Sequence, residues 1–474
     1  MLKKPRNSWR NGLAAAVAGC ALLPLADSPS FADTLESALM QAYSNNPSLN
    51  SQRAATRAVD EGVPQALSGY RPKVTVTGVA GEQTSSTTTK TVAAGVGTYN
   101  TLAGYNSPAQ LGGTITQTLY NGFQTANRTR QAESAVLAAR ATLRTTEQTV
   151  LLNAATAYMN LLRDGAILDL QRRNVEVLQE QLRQTRDRFN VGEVTRTDVA
   201  QSESSLAAGR SQVLLAEANY TASQATYRQV IGVAPGKLAA ASPVDRFSPR
   251  NVQGAVAMGT ATNPAVTTAE YNVDVALQAV KVAEGALYPT VSVQGSFTQN
   301  WLSSQSLSVM NSYNASVLGT VSVPIYQGGA EYSLIRQAKE TLGQKRLDLD
   351  TARDTVRQAV VQAWGQLDAA KANIDATQAQ VQAAEIALNG VREEARVGQR
   401  TTFDVLTAQQ TLVNARVALV TAQHDRVVAS YALLSAVGRL SPQVLGLRVP
   451  AYDATVHYQQ VRDSWAGVRT PDGR

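Results

Sequence analysis

The chain has 474 residues, of which 44% are apolar, 17% charged and 5% aromatic, with one cysteine, two histidines and a formal charge of +7. So few ligating side chains exclude a Cys/His zinc centre and a disulfide within the chain, and histidine-based catalysis has almost no material. Ala, Gln, Thr, Ser and Asn make up for the low charge, which excludes a disordered polyampholyte, and no basic cluster argues for nucleic acid.

The first segment reads as an export signal. Lys3, Lys4, Arg6 and Arg10 precede a charge-free run, residues 12–26, and Ser30-Phe31-Ala32 places small residues at alternate positions, as signal-peptidase cleavage requires. Cleavage after Ala32 leaves 442 residues, free of cysteine, with a formal charge of +4. Val17-Ala18-Gly19-Cys20 resembles a lipobox and offers a second start at an acylated Cys20, although the apolar run continues through Ala21 to Leu25. Either route exports the protein.

Beyond the signal the chain repeats itself. Asn46-Pro47 recurs as Asn263-Pro264 and Pro72 as Pro289 at a spacing of 217, while Tyr120-Asn121-Gly122 recurs as Tyr326-Gln327-Gly328 and Val191-Gly192 as Val397-Gly398 at 206. The chain therefore divides into a signal peptide (1–32), a first repeat (33–240), a linker (241–251), a second repeat (252–448) and an irregular C-terminal tail (449–474). The 11-residue difference in spacing is expected in one loop.

Each repeat opens on a helical stretch, residues 34–67 and 252–287, that stops before a proline. The period then changes to two. Val291, Val293 and Phe297 alternate with Ser292, Gln294 and Thr298, and Val74 and Val76 alternate with Thr75 and Thr77. No residue from 285 to 330 is charged. Alternation of apolar side chains with Ser, Thr, Asn and Gln alone fits strands with a lipid side and a watery side, and a soluble sandwich with a polar face is the other reading. No apolar run beyond the signal reaches the ~18 residues of a spanning helix, so a bilayer crossing would have to be β. Four strands per chain cannot close, so a barrel needs several copies: two would give eight strands and three would give twelve.

A long proline-free helix follows in each repeat, residues 123–190 and 330–396. Leu161, Leu168, Val175, Leu182 and Phe189 recur every seven residues, as do Leu367, Ile374, Val381, Leu388 and Ala395. The returning helices, residues 195–231 and 401–437, keep the same period, so each repeat forms a coiled-coil hairpin. With 37 residues each, they come back about half way, which leaves room for the opening helices to stack end to end on them. At the tips, near 192 and 398, Gly192 and Gly398 suit left-handed helix ends, and Thr195 with Asp198 and Thr401 with Asp404 read as capping boxes.

In this order and spacing, Leu119-Tyr120-Asn121-Gly122, Val323-Pro324-Ile325-Tyr326-Gln327-Gly328-Gly329, Phe189-Asn190-Val191-Gly192 and Val397-Gly398-Gln399-Arg400-Thr401 resemble the TolC-type outer-membrane efflux channels, the outer membrane factor family. The resemblance implies an α+β membrane protein: a homotrimer whose 12-stranded β-barrel, four strands per chain, continues into a 12-helix periplasmic coiled-coil tunnel. It implies a passive exit duct of a tripartite efflux or type I secretion system in the outer membrane of a Gram-negative bacterium, with no catalysis and no cofactor. The partners it implies are outer-membrane lipid, a periplasmic adaptor and an inner-membrane transporter of the RND or ABC type. Val191, Gly192, Val397 and Gly398 match adaptor-docking tips. Thr197, Asp198, Arg400 and Asp404 match an aperture gate in which Asp198 and Thr197 bond Arg400 and Asp404 rings the opening. Tyr120, Gly122, Pro324, Tyr326, Gly328 and Gly329 match the strand-to-helix junctions. Ala395 and Thr407 replace a family tyrosine and a second family aspartate, and Thr118 and Phe123 replace the first junction's proline and second glycine, so the two junctions need not bend alike. A trimeric membrane-anchored adhesin or scaffold is the alternative, although it would carry its anchor at one terminus.

Overall fold

A computed structural model describes residues 33–304, 311–471 and 473; Cys20 and the Ser30-Phe31-Ala32 site lie outside the described residues. In chain order the elements are α1 (Leu35–Asn45), α2 (Pro47–Asp60), α3 (Gly62–Leu67), β1 (Lys73–Ala80), β2 (Gln83–Ala93), β3 (Val96–Asn121), α4 (Gln124–Asn190) and α5 (Arg196–Ile231). There follow α6 (Val252–Thr262), α7 (Pro264–Gly285), β4 (Thr290–Ser304), β5 (Asn311–Ser322), α8 (Ala330–Arg396), α9 (Thr402–Ala436), α10 (Pro442–Leu445) and α11 (Ala454–Val461).

The strands form one antiparallel sheet in the order β1-β3-β4-β5, with β2 also on β3. Lys73↔Thr116 and Gln83↔Asn106 belong to the same register, so β1 and β2 are two parts of one strand interrupted at Gly81 and Glu82. The extra length of the first repeat therefore lies in a paired hairpin, not in a loop as expected: β2 and the start of β3 extend past Ser304, where β4 ends. Cross-strand rows sort the two faces. Val74–Ile115–Gly295–Val317 and Val76–Gly113–Phe297–Ala315 are apolar, whereas Thr75–Thr114–Ser296–Ser316 and Thr77–Gly112–Thr298–Asn314 carry hydroxyls and amides. Ser296 Oγ and Ser316 Oγ lie 2.8 Å apart across one such row. Among the described residues β1, β2 and β5 pair on one side only, and Val74, Val76, Phe297 and Val317 are exposed. A sheet with two open edges and a bare apolar face is incomplete as a single chain.

Helices α4 and α8 have 67 residues each, about 100 Å at 1.5 Å per residue. Much of each seven-residue stripe is a buried seam: Leu161, Leu168 and Leu182 with Leu206 in the first hairpin, and Leu367 and Leu388 with Val413 in the second, are withdrawn from water, whereas Phe189 near the first tip is exposed. The opening helices break at the Asn-Pro pairs, where continuous helices were expected. Asn46 ends α1, accepts the Ser48 and Leu49 amides through Oδ1, and donates from Nδ2 to the Val230 carbonyl 2.8 Å away. Asn263 accepts the Ala265 amide and donates to the Ala436 carbonyl at 2.9 Å. Each asparagine thus caps one helix and ties it to the end of a returning helix, so α2 and α7 take over along α4 and α8 where α5 and α9 stop. Leu39, Tyr43, Leu151, Tyr158, Tyr227, Ile231, Leu434 and Leu440 pack into one core at this joint.

The tail is less irregular than its sequence. After α10, whose Leu445 is buried, the Tyr452 amide donates to Tyr43 Oη, and α11 lies on α2. His457 Nδ1 stands 3.0 Å from the buried carboxylate of Asp60, and the Tyr458 ring carries the Arg140 guanidinium. Burial pushes the Asp60 carboxyl up, and the His457 contact opposes this.

Both strand-to-helix junctions bend through two successive left-handed residues: Gly122 and Phe123 at φ 63° and 61°, Gly328 and Gly329 at 73° and 83°. The backbone bend is thus shared despite the different residues, and Phe123 bears the strain of a left-handed L-residue, roughly 1–2 kcal/mol. A Cβ on Gly122 would lie 2.2 Å from the Gly285 carbonyl oxygen, whereas Gly328 has open space. Gly122→Ala is therefore expected to cost roughly 2–5 kcal/mol and Gly328→Ala only the ~1–2 kcal/mol of its φ. Unfolding midpoints of the purified variants compare the two, and equal drops would remove the close approach as the cause.

Candidate functional site

At the end of the hairpins opposite the sheet, the same turn is built twice. Gly192 at φ 81° donates to the Phe189 carbonyl and Glu193 N to the Arg188 carbonyl; Gly398 at φ 77° donates to Ala395 and Gln399 N to Glu394. These bonds satisfy the last carbonyls of α4 and α8. Thr195 and Thr401 then cap α5 and α9 with identical backbone angles. Asp198 Oδ2 accepts from Thr195 N at 2.9 Å and Oγ1 at 2.7 Å, and Asp404 Oδ2 accepts from Thr401 N and Oγ1, both at 2.9 Å. Those bonds hold both carboxyls below the usual carboxylate range, Asp198 chiefly through the Thr195 hydroxyl and Asp404 chiefly through the Thr401 amide.

Val191 and Val397 are 77% and 72% exposed, so a large apolar side chain stands beside each turn glycine. The hairpins meet below the tips. Leu178, Leu182 and Leu206 pack with Leu406, and Gln409 Nε2 donates to Asn174 Oδ1 at 3.3 Å inside this contact. Arg392 bonds the same Gln409 through its Oε1 at 3.0 Å. Sequence reasoning missed Asn174 and Gln409, which stand beside the apolar stripes at positions whose own seven-residue series are mostly polar, Asn160 to Arg188 and Thr402 to Gln423, so neither stood out.

A cleft of about 720 Å³ separates the tips. The first hairpin lines it with Glu176, Glu180, Glu193 and Asp198, and the second with Arg392, Arg396 and Arg400, so a mainly acidic wall faces a basic one. Arg188, on the acidic side, is held by Glu193 in a two-bond pair at 3.0 Å. Asp198 and Arg400 share the cleft, but the expected bond between them is not what the single chain forms: Arg400 Nε donates to Glu394 Oε2 at 2.9 Å. Thr197 lies exposed on the first turn of α5, Asp404 is half-buried, and Thr407 donates to the Phe403 carbonyl. Tyr120, Gly122, Pro324, Tyr326, Gly328 and Gly329 lie at the far end, where sheet passes into helix. Both histidines serve packing: His424 bridges Asp425 and Asn160, and His457 meets Asp60. Among the described residues no group of three His, Cys, Asp or Glu side chains could hold a metal.

The family model "Outer membrane efflux protein" matches residues 38–233 and 259–439. Outer membrane efflux protein BepC of Brucella suis is 42% identical over 93% of both chains, and outer membrane protein TolC of Escherichia coli is 28% identical over 87% of this chain and 84% of its own. The CmeC outer membrane channel of Campylobacter jejuni superposes with a TM-score of 0.71 at 17% identity, covering 90% of this chain and 89% of that one. The chain belongs to the outer membrane efflux protein family.

Proposed function

We propose that this outer membrane efflux protein works as a homotrimer, each chain giving four strands to a 12-stranded barrel and its hairpins to a 12-helix periplasmic tunnel. The carrying observation is the sheet, with its two open edges, one bare apolar face and one face of hydroxyls and amides. Three copies placed edge to edge remove every open edge, turn the apolar rows to lipid and leave a neutral polar lumen. The protein is an outer-membrane exit duct for efflux or type I secretion, and transport through it is passive. In this reading the transporter of the inner membrane, RND or ABC, supplies the energy, and a periplasmic adaptor meets Val191, Gly192, Val397 and Gly398.

Thr197, Asp198, Arg400 and Asp404 form the aperture gate in the same reading. The opposed charges of the cleft support it, and Arg400 keeps both Nη groups for a second carboxylate while Nε stays on Glu394. Light scattering of the detergent-purified protein is expected to give three chains per particle. A monodisperse, folded monomer would overturn the assembly.

A further inference from the structure

The tail ends at the rim of the sheet. From the buried core at Leu440 it is tied to Tyr43 at Tyr452, to Asp60 at His457 and to Arg140 at Tyr458, and it closes on Arg71. Arg71 stacks on the Trp465 ring at 4.7 Å and donates from Nη1 to the Ser464 carbonyl. Two residues after Arg71 the first strand begins at Lys73. Trp465 is nonetheless 71% exposed and Val468 fully so. A segment fastened at each step by burial or ion contact thus presents its largest apolar ring outward.

Its level coincides with the edge of the uncharged band. Lys73 is the last charge below the band, and Glu82 the first beyond the row Ala80–Ala109–Trp301–Asn311. From Thr290 to Trp301 the strand rises about 36 Å, or roughly 28 Å when tilted ~40°, close to the ~25 Å apolar band of outer-membrane barrels. Trp301 and Tyr313 stand near one end of this band, and Tyr70, Tyr288 and Trp465 at the other, all exposed. Aromatic rings at the two ends of an apolar band, with the basic groups Arg71 and Lys73 beside those at the tail end, are what a bilayer interface accommodates.

We infer that the tail segment 462–469 is a lipid-interface anchor, seating Trp465 among the phospholipid headgroups of the periplasmic leaflet with Arg71, Lys73 and Arg469 available to anionic lipid. The inference rests on the barrel reading above, and Trp301 on the apolar face keeps the two apart. Two variants of the full-length protein each retain one tryptophan, Trp465 or Trp301, with Trp9, Trp364 and the remaining one replaced by phenylalanine. Each is reconstituted in phosphatidylethanolamine and phosphatidylglycerol vesicles, with and without lipid brominated near the top of the acyl chain. Loss of emission from both in brominated lipid is the expected result. Loss from Trp301 alone overturns the anchor and leaves the barrel standing, whether Trp465 is then open to aqueous iodide or covered by a second copy. Loss from neither overturns both.

Discussion

Gly192→Trp and Gly398→Trp are each expected to reduce export to the level of cells lacking the protein while leaving the folded oligomer intact. The turns hold φ at 81° and 77°, and a Cβ added at either glycine has nothing within 4 Å. The fold therefore loses only the cost of a left-handed L-residue, about 1–2 kcal/mol per site. A tryptophan has no room taken from it inside the protomer, and it projects beside Val191 or Val397 into the surface proposed for the adaptor. Gly192→Ala and Gly398→Ala carry the same strain without the bulk, so they should export nearly normally. Export measured in cells, with oligomer content read by unheated electrophoresis, separates the causes. Normal export from the Trp variants removes the docking assignment, and loss in the Ala variants makes turn strain the cause.

The turn chemistry of those tips was legible because each residue acts on neighbours within four positions: Gly398 ends α8, and Thr401 with Asp404 opens α9. The sheet's two faces were legible for the same reason, since alternation is local. The break at Asn46-Pro47 was harder to see. The local signal is present, an asparagine cap followed by proline at the first helical position, but the bond from Asn46 to Val230, 184 residues away, which ties the joint to α5, has no local trace. The tail resists sequence reading more strongly, because α11 is short and is held by Asp60 and Arg140, both remote in sequence. The hairpin β2–β3 shows a further limit. Spacing gave the extra length, but pairing decides whether extra residues extend two strands or hang as a loop.

Which carboxylate Arg400 chooses has the same non-local character, and it supplies a test of the gate. Nothing in the capping pattern separates Glu394, on the same hairpin, from Asp198 across the cleft. In the single chain Glu394 takes Nε and raises the pKa of the guanidinium still further, so Arg400 stays charged at every physiological pH. If the Nη groups also hold Asp198 when the tunnel is shut, the bond is exposed and weak in each copy. Repeated in three copies, it biases the tunnel toward closure. Arg400→Ser should then raise single-channel conductance in a planar bilayer, whereas Glu394→Gln, which leaves the cation free to reach Asp198, should not. Equal effects of the two variants would make the Glu394 pair a hairpin brace and remove the gate bond. Asp404 adds a second reading of the same aperture. Its capping bonds use one carboxylate oxygen, and in the proposed trimer the other would face its symmetry mates and attract cations. Asp404→Asn should therefore weaken block by multivalent cations, while Thr401→Ala, which removes the cap but keeps the charge, should lower stability by about 1 kcal/mol and leave block unchanged. Because the folded carboxyl lies below its unfolded value, the cap's contribution is complete above the ordinary carboxylate range and disappears as pH falls through the lower, folded one. Block that survives in Asp404→Asn would leave Asp404 a capping residue alone.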